Sequence, residues 1–236
     1  MTAPPGDQVT ARPADIAPGP WSGTLAARFP RPLPRQRTPR VTEIIGAARA
    51  LLEAGGREGL TMRRLADEIG IRAPSLYKHL SGRPALELAL VETGLEETGV
   101  ALHRAVAASG RAGAGCLLDA YRAMGSAHPE LYRLITAGSF PRSELLPGLE
   151  AWAGEPFYLV TGEPHLAQAL WAFAHGTMIL ELERRFLEGS DIDLTWRAGA
   201  EAFNAASRAG RCAAGPAGEG QGVGAPALIR GEMGPR

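Results

Sequence analysis

The strongest constraint on the fold of this chain comes from residues 60 to 80, which read LTMRRLADEIGIRAPSLYKHL. A short helical run from Thr61 to Glu68 meets a turn around Gly70, and a second short run extends from Arg72 to Leu80. Glycine suits a turn that needs a positive φ. Two short helices joined by a tight turn, the second rich in polar side chains, are typical of a helix-turn-helix. An ordinary helical hairpin with a solvated polar face is the alternative.

The same region resembles a known family of DNA-binding proteins. Residues 41 to 90, through IIGAARALLEAGGREGLTMRRLADEIGI and APSLYKHLSGRPALELAL, are similar to the N-terminal DNA-binding domain of the tetracycline-repressor (TetR) family of bacterial regulators. The C-terminal half is less similar, and only Trp171-Ala-Phe-Ala-His175-Gly176 resembles the Trp…His-Gly element of a TetR-type ligand domain. The resemblance implies an all-α fold, in which a three-helix helix-turn-helix domain precedes a helical regulatory and dimerisation domain.

The motif marks candidate DNA contacts on its first helix and on and beside its second helix. The resemblance implies that Arg63 reaches either a base or the DNA backbone, and an arginine can bind guanine O6 and N7 with two hydrogen bonds. Ala73 is expected to pack on a thymine methyl group, and Ser75 to contact a base or a phosphate. The other candidates supply charge or hydrogen bonds to phosphates: Arg72, Tyr77, Lys78, His79 and Arg83. For Tyr77 and His79, the resemblance to the family implies this role.

The charges divide unevenly along the chain, although they sum to zero. Residues 28 to 86 carry 12 Lys or Arg against 5 Asp or Glu, whereas residues 87 to 208 carry 9 against 16. A basic N-terminal third can neutralise phosphates. Five arginines that precede or begin the first helix are expected to form an arm that follows the minor groove or the phosphates, or else to belong to a soluble disordered tail: Arg28, Arg31, Arg35, Arg37 and Arg40.

Composition and periodicity divide the chain into four segments. We expect a disordered Pro/Arg-rich arm at residues 1–37, the helix-turn-helix domain at 38–86, a helical ligand-binding and dimerisation domain at 87–209, and a disordered tail at 210–236. The fourth helix is expected to begin near Pro84 and to run to about residue 107. Beyond it, helices are expected at 112–124, 128–137, 142–153, 164–188 and 193–208.

The C-terminal half is rich in aromatic residues with few polar side chains among them, which suits an apolar pocket for a small molecule. His175 follows Trp171 by one helical turn, so the two rings can line one cavity. His128 and Tyr132 are the other candidate ligand contacts. Packing within the core is the alternative for each of the four.

The last two expected helices indicate a homodimer. Helix 164–188 is apolar on more than one face and therefore needs a partner besides its own domain core. Two such adjacent helices can dock on their symmetry mates as a four-helix interface. Burial wholly within one chain is the alternative. The candidate interface residues are Leu182, Phe186, Trp196 and Phe203.

Other functional classes find no support in the sequence. Cys116 and Cys212 lack metal spacing, and neither GxSxG nor a phosphate-binding glycine loop occurs, so we expect no enzyme, cofactor or metal. No membrane span or apolar leader is evident, and a reduced cytoplasm is the expected location. The sequence predicts a ligand-responsive repressor that binds a palindromic double-stranded DNA operator as a dimer and responds to an unidentified small-molecule effector. A helical small-molecule-binding protein with vestigial DNA affinity is the alternative.

Overall fold

The protein, a computed structural model, is described here for residues 29–109, 113–136, 140 and 142–213, with side chains through residue 210. All regular secondary structure in these ranges is helical, which confirms the expected all-α class. The α-helices are α1 (Pro39–Gly59), α2 (Met62–Glu68), α3 (Ala73–Leu76), α4 (Arg83–Ser109), α5 (Ala114–Ala127), α6 (Pro129–Thr136), α7 (Leu149–Thr161), α8 (Pro164–Leu182) and α9 (Ile192–Ala213), and a 3-10 helix spans Arg142–Glu144.

The first two helices begin at capping threonines that the sequence shows plainly. The Thr38 side chain accepts a hydrogen bond from the Val41 amide at 3.3 Å, and the Thr61 side chain accepts one from the Arg64 amide at 3.2 Å. Between α2 and α3, Gly70 takes φ +67, a conformation that glycine adopts without strain. Fully buried side chains join these helices to the start of α4: Ile44, Ala48, Leu52, Leu65, Leu76 and Leu86.

The longest helix, α4, connects the N-terminal unit to the rest of the molecule. Its first half packs into one apolar core with α1, α2, α3 and α6, and its second half packs into another core with α5, α7, α8 and α9. The expected domain boundary after residue 86 therefore falls inside a continuous helix. No helix in the described ranges is long and apolar enough to cross a membrane.

Helices of the second half differ from their expected bounds, and α9 continues to Ala213, four residues into the expected tail at 210–236. The expected helix 142–153 is a 3-10 turn followed by α7, because Gly148 takes φ +81 between them. The expected helix 164–188 ends at Leu182, because Arg184 takes φ +52, which an α-helix cannot contain. Phe186 therefore lies in the loop before α9 rather than on a helix.

A proline removes one backbone hydrogen bond from α7, and a side chain of α4 replaces it. Pro156 has no amide hydrogen, so the carbonyl of Trp152 loses its intrahelical donor. His103 of α4 lies with Nε2 at 2.9 Å from that carbonyl oxygen and can donate to it. The His103 ring also stacks on the Trp152 ring, with centroids 5.0 Å apart. The break in α7 is thus repaired by its neighbouring helix.

The segment before α1 lies along α4, whereas the sequence predicted an unfolded arm through residue 37. Arg31 binds Glu96 at 2.6 Å, and Arg35 binds Glu92 at 2.9 Å. Arg37 donates to the hydroxyl of Thr93 at 2.7 Å. These partners lie one turn apart on α4 and present their side chains to the passing chain. Residues 1–28, including Arg28 of the expected arm, and residues 214–236 of the expected tail lie outside the described ranges.

Candidate DNA-binding surface and ligand cavity

Exposed cations lie on α2 and on both sides of α3. The side chains of Arg63, Arg72 and Lys78 are exposed and form no ion pair or hydrogen bond with any residue that the structure describes. Tyr77 is 53% exposed, and His79 is exposed beside it. Five of the eight expected DNA contacts therefore share a surface whose charge is available to another molecule. We call the surface formed by these five residues the α2–α3 surface.

The third helix is held by its apolar side. Leu76 is fully buried and anchors α3 in the core of the N-terminal unit. Ala73 and Ser75 are half-buried on the flanks of this short helix. Backbone hydrogen bonds from Lys78 to Ser75 (3.3 Å) and from His79 to Leu76 (3.0 Å) continue the turn beyond it. The polar residues after Leu76 are therefore fixed in position although α3 itself has only four residues.

Arg83 is engaged within the protein, unlike the other expected phosphate contacts. Its guanidinium donates to Glu87 at 2.8 Å and to the carbonyl of Arg57 at 2.7 Å. Arg57 binds the other oxygen of Glu87 at 2.9 Å. Burial opposes ionisation of Glu87, yet hydrogen bonds from both arginines hold its pKa below its usual range. Arg83 therefore ties α4 to the end of α1, and less of its charge is available to a phosphate.

A cavity of about 150 Å³ lies among α4, α5, α6, α7 and α8. The four residues expected to contact a ligand all line it, although they belong to different parts of the chain: His128, Tyr132, Trp171 and His175. Aliphatic and aromatic side chains form most of the remaining wall: Leu95, Leu102, Tyr121, Met124, Leu131, Ile135 and Phe157. The structure thus brings together the residues that the aromatic pattern singled out.

A chain of hydrogen bonds runs through one wall of the cavity. The hydroxyls of Tyr121 and Tyr132 are 3.0 Å apart, and the Tyr132 hydroxyl is 2.7 Å from Nδ1 of His175. Burial raises the pKa of Tyr121 to about 12 and raises that of Tyr132 as well, so both phenols keep their protons. Burial also lowers the pKa of His175, which favours the neutral imidazole. Trp171 stacks on His175 with ring centroids 5.7 Å apart.

An ion pair that the sequence did not reveal forms another part of the wall. Arg142, from the 3-10 helix, binds Glu150 in the first turn of α7, and its guanidinium lies 5.0 Å from the ring centroid of Phe140. Burial raises the pKa of Glu150, and the neighbouring guanidinium opposes this shift. The pairing depends on the turn at Gly148, in a segment that the sequence predicted as one helix. No sequence signal marked these two residues as a pair.

A carboxylate of α1 holds the helix that forms one side of the cavity. Glu53 accepts hydrogen bonds from the backbone amides of Glu130 and Leu131, at 3.1 Å and 3.0 Å, at the N-terminus of α6. A negative charge is favourable there because the first amides of a helix lack intrahelical partners. Leu131 and Tyr132 of the same helix line the cavity. Through α6, the N-terminal unit is thus bonded to the cavity wall.

Of the four residues expected at a dimer interface, Trp196 is buried within the chain and the other three are half-buried. Trp196 is 3% exposed, donates to Glu181 at 2.8 Å and meets the Phe173 ring edge-on. Phe203 is half-buried against Phe173, with ring centroids 5.7 Å apart. Leu182 and Phe186 are also half-buried. For Trp196 the structure therefore shows the alternative, which is burial within the chain itself. Apolar periodicity predicts that one side of a helix is buried, but it does not identify what covers that side.

The sides of α8 and α9 that face away from this core carry exposed small or apolar residues: Ala169, Ala172, Gly176, Leu194, Ala198 and Ala202.

Comparison with known proteins agrees with the N-terminal architecture. Residues 44–90 match the model of the family described as bacterial regulatory proteins, tetR family. The N-terminal unit is a TetR-family helix-turn-helix domain. Over 52 residues the chain is 46% identical to the class C tetracycline repressor protein of Escherichia coli. This matched segment covers 22% of this chain and 24% of that protein. A class A tetracycline repressor protein from transposon 1721, also of Escherichia coli, is 44% identical over 54 residues, 23% of this chain and 25% of that protein. The chain thus matches about a quarter of the length of these curated relatives.

Solved structures resemble the protein well beyond the TetR-type domain. A protein of unknown function from Rhodococcus sp. RHA1 superposes with a TM-score of 0.61 at 25% identity, over 73% of this chain and 97% of that one. A possible TetR family transcriptional regulator from Streptomyces coelicolor A3(2) superposes with a TM-score of 0.55 at 19% identity, over 72% of this chain and 100% of that one. A TetR variant from Acinetobacter baumannii AYE in complex with minocycline superposes with a TM-score of 0.50 at 21% identity, over 72% of this chain and 97% of that one. These likenesses show that the fold extends through the helical domain behind the TetR-type unit.

Proposed function

We propose that the protein is a DNA-binding transcriptional regulator whose affinity for an operator changes when a small molecule occupies the cavity. The observation that carries the proposal is the α2–α3 surface, where a TetR-type domain leaves Arg63, Arg72 and Lys78 exposed and unpaired among the described residues. Arginine and lysine at such positions can bind base edges and phosphates. The matched curated relatives are named as repressors, and we propose repression as the default mode.

We propose further that two copies bind a palindromic operator together. A helix-turn-helix protein reads two half-sites through two-fold symmetry, which requires a dimer. The inward position of Trp196 moves our proposed interface to the opposite sides of α8 and α9, where Ala172 and Ala202 are exposed. Side chains this small allow two helices to approach closely. An Ala202→Arg variant should therefore shift the protein toward monomer in light scattering, whereas Ala123→Arg, on an exposed position of α5, should not.

The proposed regulation runs from the cavity to the α2–α3 surface through two helices. α4 contributes Leu95 and Leu102 to the cavity wall and begins in the Arg83–Glu87–Arg57 cluster of the TetR-type unit. α6 contributes further wall residues and is bonded to α1 through Glu53. A ligand changes operator affinity only if it binds one arrangement of these helices better than another. The minocycline complex of the TetR variant from Acinetobacter baumannii AYE supports a small molecule as the signal.

The proposal is tested by selecting bound fragments from a random double-stranded DNA library with the full-length protein. We expect an enriched palindrome. Its affinity in mobility-shift assays should fall with rising salt, because phosphate contacts release counterions. Failure to enrich any sequence, together with equal affinity for random DNA, would contradict a sequence-specific regulator.

A helical small-molecule-binding protein with vestigial DNA affinity is the second candidate, and the cavity favours it because a mostly apolar cavity is not needed for DNA binding. The two functions separate in one pair of measurements. The regulator should bind its selected operator, and a ligand that raises the melting temperature should change that affinity. The second candidate should show the thermal shift while its affinity for DNA stays weak and independent of sequence.

A further inference from the structure

The volume of the cavity limits the size of its ligand. At about 150 Å³ it matches an engineered apolar cavity that accommodates benzene. A molecule of one aromatic ring therefore fits without displacement of the walls. A ligand of several fused rings would require α4 or α6 to move away, since Gly94 on α4 already approaches Ile135 on α6 so closely that an added Cβ would lie 2.6 Å from its Cδ1.

The walls are shaped for a ring rather than an aliphatic chain. Trp171 and His175 stack with an angle of 11° between their planes, and Phe157 meets Tyr121 edge-on with centroids 5.8 Å apart. Stacked and edge-to-face contacts with such rings add to the energy of burying an aromatic ligand. The surrounding leucines, Leu95 and Leu102, supply apolar contact without a polar group.

One side of the cavity offers hydrogen bonding to a single small polar group. If Tyr132 donates to Nδ1 of His175, the imidazole proton lies on Nε2 and can be donated to a ligand. In the other tautomer Nε2 accepts instead. A hydroxyl group satisfies both cases, because it donates and accepts. Among the described residues, no hydrogen bond to Nε2 of His175 is present that the ligand would have to displace.

The charged groups in the wall argue against an ionic ligand. Arg142 and Glu150 neutralise each other, so a carboxylate would have to displace Glu150 and an ammonium group would have to displace Arg142. Removing an unpaired charge from water into an apolar cavity is costly. Glu150 also precedes Phe157 by seven residues on α7, roughly 10 Å along the helix axis, which keeps the pair away from the aromatic end.

We propose that the cavity binds a neutral single-ring phenol, with its ring between Trp171 and Phe157 and its hydroxyl hydrogen-bonded to His175. The proposal rests on the proposed function, since it names the class of effector for the same cavity. The ring supplies the buried apolar area, and the hydroxyl completes the hydrogen-bonded chain that starts at Tyr121.

The test compares three compounds of similar size with the full-length protein by calorimetry: 4-methylphenol, toluene and benzoate. We expect 4-methylphenol to bind roughly 3- to 10-fold more tightly than toluene, the range that one neutral hydrogen bond supplies, and benzoate to bind most weakly. Equal affinities for 4-methylphenol and toluene, tightest binding of benzoate, or no binding of any of the three would overturn the proposal.

A His175→Phe variant locates the hydroxyl. It keeps a ring beside Trp171 but removes both nitrogens. The ratio of its affinities for 4-methylphenol and toluene should therefore fall toward one, while toluene still binds. His165→Phe, at an exposed position of the same helix and outside the cavity wall, is the matched control, and its preference for 4-methylphenol over toluene should equal that of the wild type. If His175→Phe does not fold, the three compounds on the wild type still decide the proposal.

The same samples separate this proposal from the proposed function. If the wild type binds its selected operator but none of the three compounds, the phenol assignment alone is wrong. If 4-methylphenol binds with the expected preference but no DNA sequence is enriched, the cavity assignment stands and the regulator proposal is wrong.

Discussion

The α2–α3 surface and the cavity handle charge in opposite ways. On the surface, Arg63, Arg72 and Lys78 are exposed and have no partner among the described residues. In the cavity wall, Arg142 is paired with Glu150, and the polar side chains are joined to one another. A surface for a polyanion must leave its cations unneutralised, whereas a cavity for an apolar molecule must cancel its charges before it buries them. The distribution of partners therefore distinguishes the two proposed binding sites of the chain.

The two regions also differ in how completely they are filled. Leu76 and its neighbours close the core of the TetR-type unit, and Leu76 is fully buried. The helical domain behind the TetR-type unit leaves about 150 Å³ open among five helices. Unfilled volume deprives the side chains around it of contacts and so costs stability. The protein thus carries the α2–α3 surface on a closed core and has open volume where the effector is proposed to bind.

The largest expected effect concerns this difference in filling. Leu76→Ala should lower the free energy of unfolding by about 2–5 kcal/mol, because it opens a cavity in a closed core. Met124→Ala, in the half-buried cavity wall, should cost less because that side chain already borders open volume. Urea unfolding of both variants measures the two losses. Equal losses would show that the two regions are equally tightly packed.

The next effect concerns the unpaired cations. Arg63→Ala should weaken operator binding by about 1–3 kcal/mol and relax one base position if it contacts a base. Lys78→Ala should weaken binding to all sequences and reduce the salt slope by about one unit. Arg104→Ala, an exposed arginine of α4, is the matched control and should bind like the wild type. Operator titrations at two salt concentrations measure all three. Wild-type binding by both surface variants would refute the docking model.

A smaller effect concerns the link between the two regions. Glu53→Ala removes the acceptor for two amides at the start of α6 and should cost about 0.5–2 kcal/mol of stability, as the loss of a helix cap does. It should also reduce the change in operator affinity that an effector causes. Glu58→Ala, an exposed residue of α1 beyond the kink at Gly56 (φ +63), is the control. A ligand response of normal size in the Glu53 variant would place the coupling in α4 instead.

The smallest effect is a difference in pH dependence. Burial lowers the pKa of His175, so the unfolded chain binds its proton more readily, and stability from this residue is complete above about pH 6.5 and falls below it. Hydrogen bonds lower the pKa of Glu87, so its contribution is complete above about pH 4.3 and falls only below that value. The free energy of unfolding is measured for both variants from pH 3 to 8, in steps of about one pH unit. His175→Phe should remove the loss of stability at about pH 6.5, and Glu87→Gln should remove the loss below about pH 4.3. An unchanged slope in either variant would remove that residue from the explanation.

The features predicted from the sequence are those that depend on neighbouring residues. The threonine caps, the turn at Gly70 and the exposed positions on both sides of α3 follow from local pattern, and the structure confirms the helix-turn-helix. Trp171 and His175 reach the same cavity because four residues separate them on one helix. Local pattern therefore also marked part of the cavity.

The features that the sequence missed are pairs that only the fold brings together. Glu53 meets the start of α6 across 77 residues, and Arg35 meets Glu92 across 57. Nothing in a helical pattern indicates which distant helix end or passing segment a carboxylate will meet. The inward side chain of Trp196 has the same origin, since an amphipathic helix shows that one side is covered but not whether its own chain or a second copy covers it.

The repaired break in α7 has a consequence for motion. Because the Trp152 carbonyl relies on His103 for its donor, sliding α4 along α7 would leave a polar atom unsatisfied. Gly99 adds a second restraint, since an added Cβ there would lie 2.4 Å from the Trp152 ring and the two helices are already in close contact. A rotation of α4 about this point breaks neither contact. We therefore expect any signal carried by α4 to be a tilt with its pivot at His103, which swings the TetR-type unit sideways rather than pushing it along the helix axis.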